Sequence, residues 1–138
     1  MKYMILTYAS QRDYDGMAGK PSEEPVWSAE DFAAMAEFME AFNKDLADSG
    51  ELVETRALAA PVLTRRLQLQ NGVPAVTDGP YAETQEVLAG YWVLECDSFD
   101  RATEIAARLA SCPAPEQVAA TAVADVRPIA DSAAELEL

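Results

Sequence analysis

Two amphipathic helical segments, each flanked by strand-like segments, constrain the fold of this chain more than any other feature of its sequence. The first follows Ser28, a favoured N-cap residue, and runs to Gly50, a residue suited to a left-handed helix end. Its apolar side chains recur every three or four residues: Phe32, Met35, Met39, Phe42 and Leu46. The second follows Asp97 or Ser98, and Pro113 ends it because proline disfavours a helical residue before it. We therefore predict two helices that each turn one face to a core.

Strand-like segments lie on both sides of these helices. Four of them, rich in β-branched, aromatic and aliphatic residues, are predicted as strands over residues 3–8, 52–58, 87–96 and 118–127. Residues 63–77 alternate in polarity around Asn71-Gly72, the favoured two-residue turn of a β-hairpin. The order of segments predicts an α+β fold, a ferredoxin-like split βαβ sandwich with an inserted hairpin, in which both helices cover one face of an antiparallel sheet.

The second face of this sheet is also predicted to be apolar. Tyr91 and Val93 alternate with Trp92 and Leu94, so both sides of that strand are apolar. One face of the last predicted strand carries Val118, Ala120, Ala122, Ala124 and Val126. Because a half-exposed antiparallel sheet normally alternates between polar and apolar residues, we expect a second subunit or a ligand to cover this face.

The remaining segments lack a clear period. Residues 9–27 contain two glycines and two prolines, and we predict a loop there, either a functional cover or a mobile insertion. Residues 130–138 are predicted to form a loosely held tail. One domain over residues 1–129 fits the chain length of 138 residues.

Charge and missing residue types exclude several functions. The net charge of −14 disfavours nucleic acid and anionic membrane surfaces as partners and leaves a cationic ligand or a basic partner open. The chain has no histidine, which excludes Ser-His-Asp and Cys-His catalysis, and two cysteines are too few for structural zinc. We predict no metal and no cofactor. Neither a targeting segment nor a membrane span is recognised, so a cytoplasmic location with Cys96 and Cys112 reduced is expected.

Residues 77–91, Thr-Asp-Gly-Pro-Tyr-Ala-Glu-Thr-Gln-Glu-Val-Leu-Ala-Gly-Tyr, carry the most chemical information. Asp78 can accept a hydrogen bond from the backbone of a turn, Gly79 permits unusual dihedral angles, and Pro80 stiffens the exit. The acids Asp78, Glu83 and Glu86, with the phenols of Tyr81 and Tyr91, can hold a proton donor, a cationic ligand or a divalent ion. From spacing alone, a capped turn with solvated acids is favoured over a site.

This segment resembles the signature of the DGPF, or DGPFAETKE, proteins of the YCII-related superfamily. The starting residues 1–4, the Asn71-Gly72 turn and the closing Val126-Arg127-Pro128 also resemble the family, so the resemblance spans residues 1–129. Tyr81 replaces the commoner Phe, and Gln85 stands where the family usually has Lys, which leaves the three acids without an evident cationic neighbour. The histidine often proposed as catalytic in the wider group has no counterpart.

The resemblance implies a homodimeric α/β barrel in which two sheets pair through their uncovered faces. The biochemical function of the family is not established. Its members are often encoded beside extracytoplasmic-function sigma factors, which implies a regulatory connection.

The leading hypothesis is a small cytoplasmic dimeric barrel protein that binds a small molecule near the Asp-Gly-Pro-Tyr motif and has acid–base activity. Asp78 and Glu83 are the candidate catalytic acids. The candidate ligand-binding residues are Arg66, Gly79, Pro80, Tyr81 and Tyr91, with Arg65 and Arg127 as further anion-holding candidates. The alternative is a non-enzymatic accessory or interaction protein of a sigma-factor system, and a third option is a motif that serves only folding and dimerisation. The sequence leaves open whether the chain is an enzyme.

Overall fold

The computed structural model describes residues 1–21 and 27–136, in which helices and strands alternate along the chain. In chain order the elements are β1 Lys2–Ala9, α1 Gln11–Met17, α2 Ala29–Ser49, β2 Leu52–Ala57, β3 Arg65–Gln70, β4 Val73–Asp78, β5 Val87–Glu95, α3 Phe99–Ala110, α4 Glu116–Ala119 and β6 Ala124–Pro128. Short 3₁₀ turns cover Pro61–Leu63 and Ala133–Glu135. Of the predicted tail, residues 137 and 138 lie outside the described residues.

Four of the strands form one antiparallel sheet in the order β2-β5-β1-β6, and β3 and β4 form a separate two-stranded sheet. Without the hairpin, this mixed α+β architecture is compatible with the predicted ferredoxin-like fold. One face of the larger sheet packs against α2 and α3. The buried core comprises Tyr3, Ile5, Phe42, Leu46, Trp92, Leu94, Ala102, Ile105, Ala106 and Leu109.

Both predicted long helices are confirmed, with the predicted caps. Ser28 and Asp31 form a capping box at the start of α2, and Gly50 ends that helix with a left-handed φ of 78°. The Ser98 side chain accepts a hydrogen bond from the Arg101 backbone N–H at the start of α3. These local contacts explain why the helix boundaries were predictable from the sequence.

Aromatic packing attaches α2 to the sheet. The Phe42 ring is fully buried and meets the ring of Trp92 edge to face, with 5.9 Å between centroids. The Trp92 Nε1–H donates a 2.8 Å hydrogen bond to Asn43 Oδ1 on the same helix. The contact therefore buries apolar area and also gives the indole N–H an acceptor.

The predicted loop over residues 9–27 was wrong at its start, where α1 forms. Ser10 Oγ accepts a hydrogen bond from the Asp13 N–H, and the Asp13 carboxylate accepts one from the Ser10 N–H. This capping box satisfies helix N–H groups that would otherwise lack partners. Tyr14 Oη then donates to the Leu58 carbonyl oxygen over 2.7 Å. Of the rest of the predicted loop, residues 18–21 and 27 form no helix or strand, and residues 22–26 lie outside the described residues.

The single long strand predicted over residues 118–127 was also wrong. Residues Glu116–Ala119 form α4, and β6 begins only at Ala124. Alanine has the highest helix propensity, so the alanines between Val118 and Ala124 indicate little about strand structure. The first half of the predicted alanine-rich face therefore does not lie on the sheet.

The predicted hairpin is confirmed. Asn71 and Gly72 have φ angles of 52° and 78°, as a type I′ turn requires. The first strand is shorter than predicted, because Leu63 lies in the 3₁₀ turn that precedes β3. Among the described residues, no helix is long and apolar enough to cross a bilayer.

An ion pair at the edge of the core generates a pH-dependent prediction. Arg101 donates to both carboxylate oxygens of Glu51, over 2.9 and 2.8 Å, and the hydrogen bonds from Arg101 lower the pKa of Glu51 below its ordinary value of 4.5. A lowered folded-state pKa stabilises the fold above the unfolded pKa, and this stabilisation is lost as pH falls through the folded value.

We expect Glu51→Gln to lower the free energy of unfolding by about 1 kcal/mol at neutral pH, because it removes the charge of a partly buried pair. The difference from the wild type should shrink as the pH falls below 4.5. Urea unfolding at a series of pH values measures this. Asp48→Asn is the control, because the Asp48–Lys44 pair lies on the exposed surface of α2. Equal pH profiles for all three proteins would contradict the prediction.

Candidate functional site

The Asp-Gly-Pro-Tyr motif closes the base of the hairpin. Gly79 has a left-handed φ of 55°, and its N–H donates a 2.8 Å hydrogen bond to the Thr64 carbonyl oxygen. A Cβ at this glycine would lie 3.3 Å from the Val62 carbonyl oxygen. Both the dihedral angle and the close approach favour glycine, and the half-buried Pro80 follows directly.

Asp78 ends β4 with an exposed side chain. Its Oδ1 lies 3.4 Å from Arg65 Nε, and both side chains are more than three quarters exposed. Glu83 is 3.8 Å from Arg12 Nε, and its carbonyl oxygen accepts a hydrogen bond from the Arg12 N–H. The expectation that these acids lack cationic neighbours was therefore wrong: β3, the other strand of the hairpin, and α1, which is distant in sequence, each supply an arginine.

Two other predicted residues meet in the fold. The Arg66 guanidinium carbon lies 5.2 Å from the centroid of the Tyr81 ring, and that ring is half-buried. This cation–π contact connects β3 to the motif.

Tyr91 occupies a different surface, which we call the open face: the side of the four-stranded sheet opposite the helices. Tyr91 pairs with Leu6 and Arg56 in the sheet register, and Arg127 pairs with Met4 on the same face. Within residues 1–21 and 27–136, no hydrogen bond or ion pair joins Tyr91 or Arg127 to Asp78. The predicted site residues therefore divide into a motif group and an open-face group.

A cavity of about 620 Å³ lies beside the second half of the motif, between α1 and α4. Its motif side is formed by Glu83, Thr84 and Glu86, and Gln117 and Val118 of α4 contribute to it. Asp78 and Tyr81 are not among its lining residues. Residues of α1 complete the wall, and the sequence prediction missed them because this segment was predicted to be a loop. The Ser-x-x-Asp pattern that begins at Ser10 could have indicated the start of this helix.

Acidic residues outnumber basic residues in this cavity. Asp13, Asp15, Glu83 and Glu86 line it together with Arg12 and Lys20. A hydrogen bond from Gln11 and the nearby Lys20 lower the pKa of Asp15, which favours its charged form. The cavity is therefore suited to groups that carry positive charge or donate hydrogen bonds.

Trp27 adds an apolar wall to the cavity. Its indole packs so closely on Gly16 that a Cβ there would lie 2.7 Å from Trp27 Cδ1. Trp27 Nε1 is buried and has no hydrogen-bond partner among the described residues. A buried donor without an acceptor is rare in folded proteins. In the described part of the chain, no three acidic or cysteine side chains cluster as metal ligands would.

The fold and this cavity define a small α+β domain with one sheet face covered by helices and an acid-rich cavity beside a conformationally restricted turn. A family model, the YCII-related domain, matches residues 1–131, and the chain belongs to this family. It is similar to the uncharacterized protein R00369 of Rhizobium meliloti (strain 1021), with 27% identity over 130 residues, which cover 94% of this chain and 93% of the relative.

The turn geometry predicts unequal costs for two glycine substitutions. Gly79→Ala should lower the free energy of unfolding by about 1–2 kcal/mol through its left-handed φ, with a further cost from the close Val62 carbonyl. Gly72 also has a left-handed φ, but no atom lies within 4 Å of an added Cβ. Gly72→Ala should therefore lose only the stability that the left-handed φ costs. Thermal and urea unfolding compare the two variants. A smaller loss for Gly79→Ala would contradict the assigned role of this turn.

Proposed function

We propose that this YCII-related protein binds a small molecule in the cavity between α1, the motif and α4. The cavity itself carries the proposal: its volume of about 620 Å³ lies in the range of small-molecule sites, and Glu83, Thr84 and Glu86 of the motif form part of its wall. The resemblance to other proteins supplies the family and no ligand.

The lining indicates the chemistry of that ligand. Arg12 faces Glu83 and Lys20 faces Asp15 in ion pairs, which leaves the cavity with two further acids. A ligand with an amine or guanidinium group complements this excess of acids. The proposed ligand is therefore a small cation.

Acid–base activity at this cavity would use Glu83, which lines it, in preference to Asp78, which does not. We assign Asp78 and Gly79 to holding the turn, through Arg65 and Thr64 respectively. The Arg66–Tyr81 contact supports the same turn from the other side.

Within the family, we place the chain in the DGPF subgroup, on the strength of its Asp78-Gly79-Pro80 turn and the following Ala-Glu-Thr. A cytoplasmic location accords with Cys96 and Cys112, which are both free thiols.

We also propose that the protein acts as a homodimer through the open face. Met4, Leu6, Tyr8, Tyr91 and Val93 form a half-buried, largely apolar strip there. The charged residues that share this face balance in sign: Lys2, Arg56 and Arg127 against Glu54, Glu95 and Asp125. In a chain with a net charge of −14, a neutral and apolar face is the surface on which two copies repel one another least.

The second candidate function is that of an interaction protein. The β3–β4 hairpin favours it, because Leu67 and Leu69 are more than two thirds exposed. The proposal that its partner belongs to a sigma-factor system rests on the family resemblance alone.

Ligand class is tested with two probes of similar size: tyramine, a cation with a phenol oxygen, and phloretate, a carboxylate with the same phenol. By saturation-transfer NMR and calorimetry, we expect tyramine to bind at about millimolar concentration or below and phloretate not to bind. Glu83→Gln and Glu86→Gln together should weaken tyramine binding about tenfold, because they remove the excess of acids.

Glu37→Gln with Glu40→Gln is the matched control, since both side chains are exposed on α2. Equal binding of both probes, or no binding of tyramine, would contradict the ligand class. If Asp78→Asn abolished tyramine binding and the Glu83 and Glu86 variants bound it normally, the ligand would bind at the Asp-Gly-Pro-Tyr turn and not in the cavity.

Dimerisation is tested by light scattering coupled to size exclusion. We expect about twice the 14.9 kDa mass of one chain at micromolar concentration. Leu6→Arg should give a folded monomer, because it replaces an apolar side chain at the centre of the open face with a long charged one. Ala36→Arg, on the exposed side of α2, should remain dimeric. A monomeric wild type, or a dimeric Leu6→Arg variant, would contradict the proposal.

A further inference from the structure

We propose that the β3–β4 hairpin packs its apolar face against the second copy of this chain. This inference rests on the proposed homodimer and names an element of its interface in addition to the open face. We use "hairpin face" for Leu67, Leu69, Pro74 and Val76.

The hairpin face is uncovered within one chain. Leu67 pairs with Val76 and Leu69 with Pro74, so these four side chains project to one side of the hairpin. Leu67, Leu69 and Val76 are 68%, 70% and 59% exposed. The opposite side carries Gln68, Gln70, Ala75, Thr77, Arg66 and Val73. The hairpin is thus amphipathic, and its apolar side lacks a cover.

The hairpin is also isolated from the four-stranded sheet. Among the described residues, β3 and β4 pair only with each other. The contacts that attach this region to the rest of the chain lie near its base: Val62 N–H donates to Gln11 Oε1 over 2.8 Å, and Arg66 lies over Tyr81. A two-stranded hairpin is at best marginally stable in water, so a cover on the hairpin face would stabilise it substantially.

Charge favours a second copy as that cover. Residues 65–78, which form the hairpin, contain Arg65, Arg66 and one acid, Asp78, whereas the whole chain carries 24 acids and a net charge of −14. The hairpin is therefore an apolar element with a small positive charge in an acidic protein, and an acidic surface of another copy attracts it. Nucleic acid and anionic membranes would attract the hairpin too, but the rest of the chain repels them.

Stoichiometry favours the same occupant. An exposed apolar hairpin with two free edges is an aggregation hazard, which only a continuously present partner removes. A second copy is always present at the concentration of the first. In a two-fold dimer each hairpin is covered once by the other chain, so its area is buried twice. Val62 and Leu63, which are 57% and 72% exposed, extend the same region at the hairpin base.

The test compares two double variants of β3 in the full-length protein. Leu67→Ser/Leu69→Ser alters the hairpin face, and Gln68→Ser/Gln70→Ser alters the opposite side of the same strand. By analytical ultracentrifugation, we expect the dimer dissociation constant to rise about tenfold or more for the leucine variant and less than about twofold for the glutamine variant. Circular dichroism and thermal melting report whether each variant is folded.

A photo-crosslinking residue placed at position 69, and in a control at position 68, gives a second measurement in an otherwise intact chain. We expect a crosslinked dimer from position 69 and little from position 68. A dimeric wild type with an unchanged dissociation constant in the leucine variant and no crosslink from position 69 would overturn the inference and leave the homodimer standing. A crosslink from position 69 to other proteins alone would also overturn it. A monomeric wild type would overturn the homodimer and the inference with it.

Discussion

The packing of α2 against the central strand of the sheet is the contact on which the rest of the structure depends. Phe42 and Trp92 are buried against each other, and the Trp92 indole N–H donates a hydrogen bond to Asn43, which follows Phe42 on α2. The apolar contact drives association and the hydrogen bond fixes its geometry, because a buried indole N–H without an acceptor is costly. With α2 and α3 on one side, the same sheet is left with an open face.

A few backbone and capping hydrogen bonds also position the walls of the cavity. A capping box at Ser10 turns the chain into α1 directly after β1, and the Arg12 backbone then meets the carbonyl oxygen of Glu83. The second half of the motif is therefore held against a helix, whereas its first half closes the hairpin through Gly79 and Thr64. One continuous motif thus serves two structural purposes on adjacent parts of the molecule. Asp78 and Glu83, close in sequence, consequently have different surroundings.

The surfaces that remain uncovered share one property, which is low net acidity in an acidic chain. The open face balances its charges, and the hairpin carries two arginines against one acid, Asp78. Acidic residues elsewhere keep the molecules apart by repulsion, so these two surfaces are where association costs least. Membership of the YCII-related family and the uncharacterized relative identify no ligand.

The sequence by itself determined the elements whose signals are local. Ser28 and Gly50 bounded α2, Asn71-Gly72 fixed the hairpin turn, and Gly79 marked a left-handed position, because caps and turns depend on a few adjacent residues. The start of α1 was equally local, because Ser10 and Asp13 form its capping box, but the glycines and prolines that follow over residues 16–25 favoured a loop. The run of alanines before Ala124 fits helix and strand alike, so its structure was not fixed locally. The same two-residue turn set the hairpin register that brings Arg65 to Asp78. Only the tertiary structure decided which side chains of distant segments meet, such as Arg12 with Glu83 and Tyr14 with the Leu58 carbonyl oxygen, because those contacts join segments that no local pattern relates.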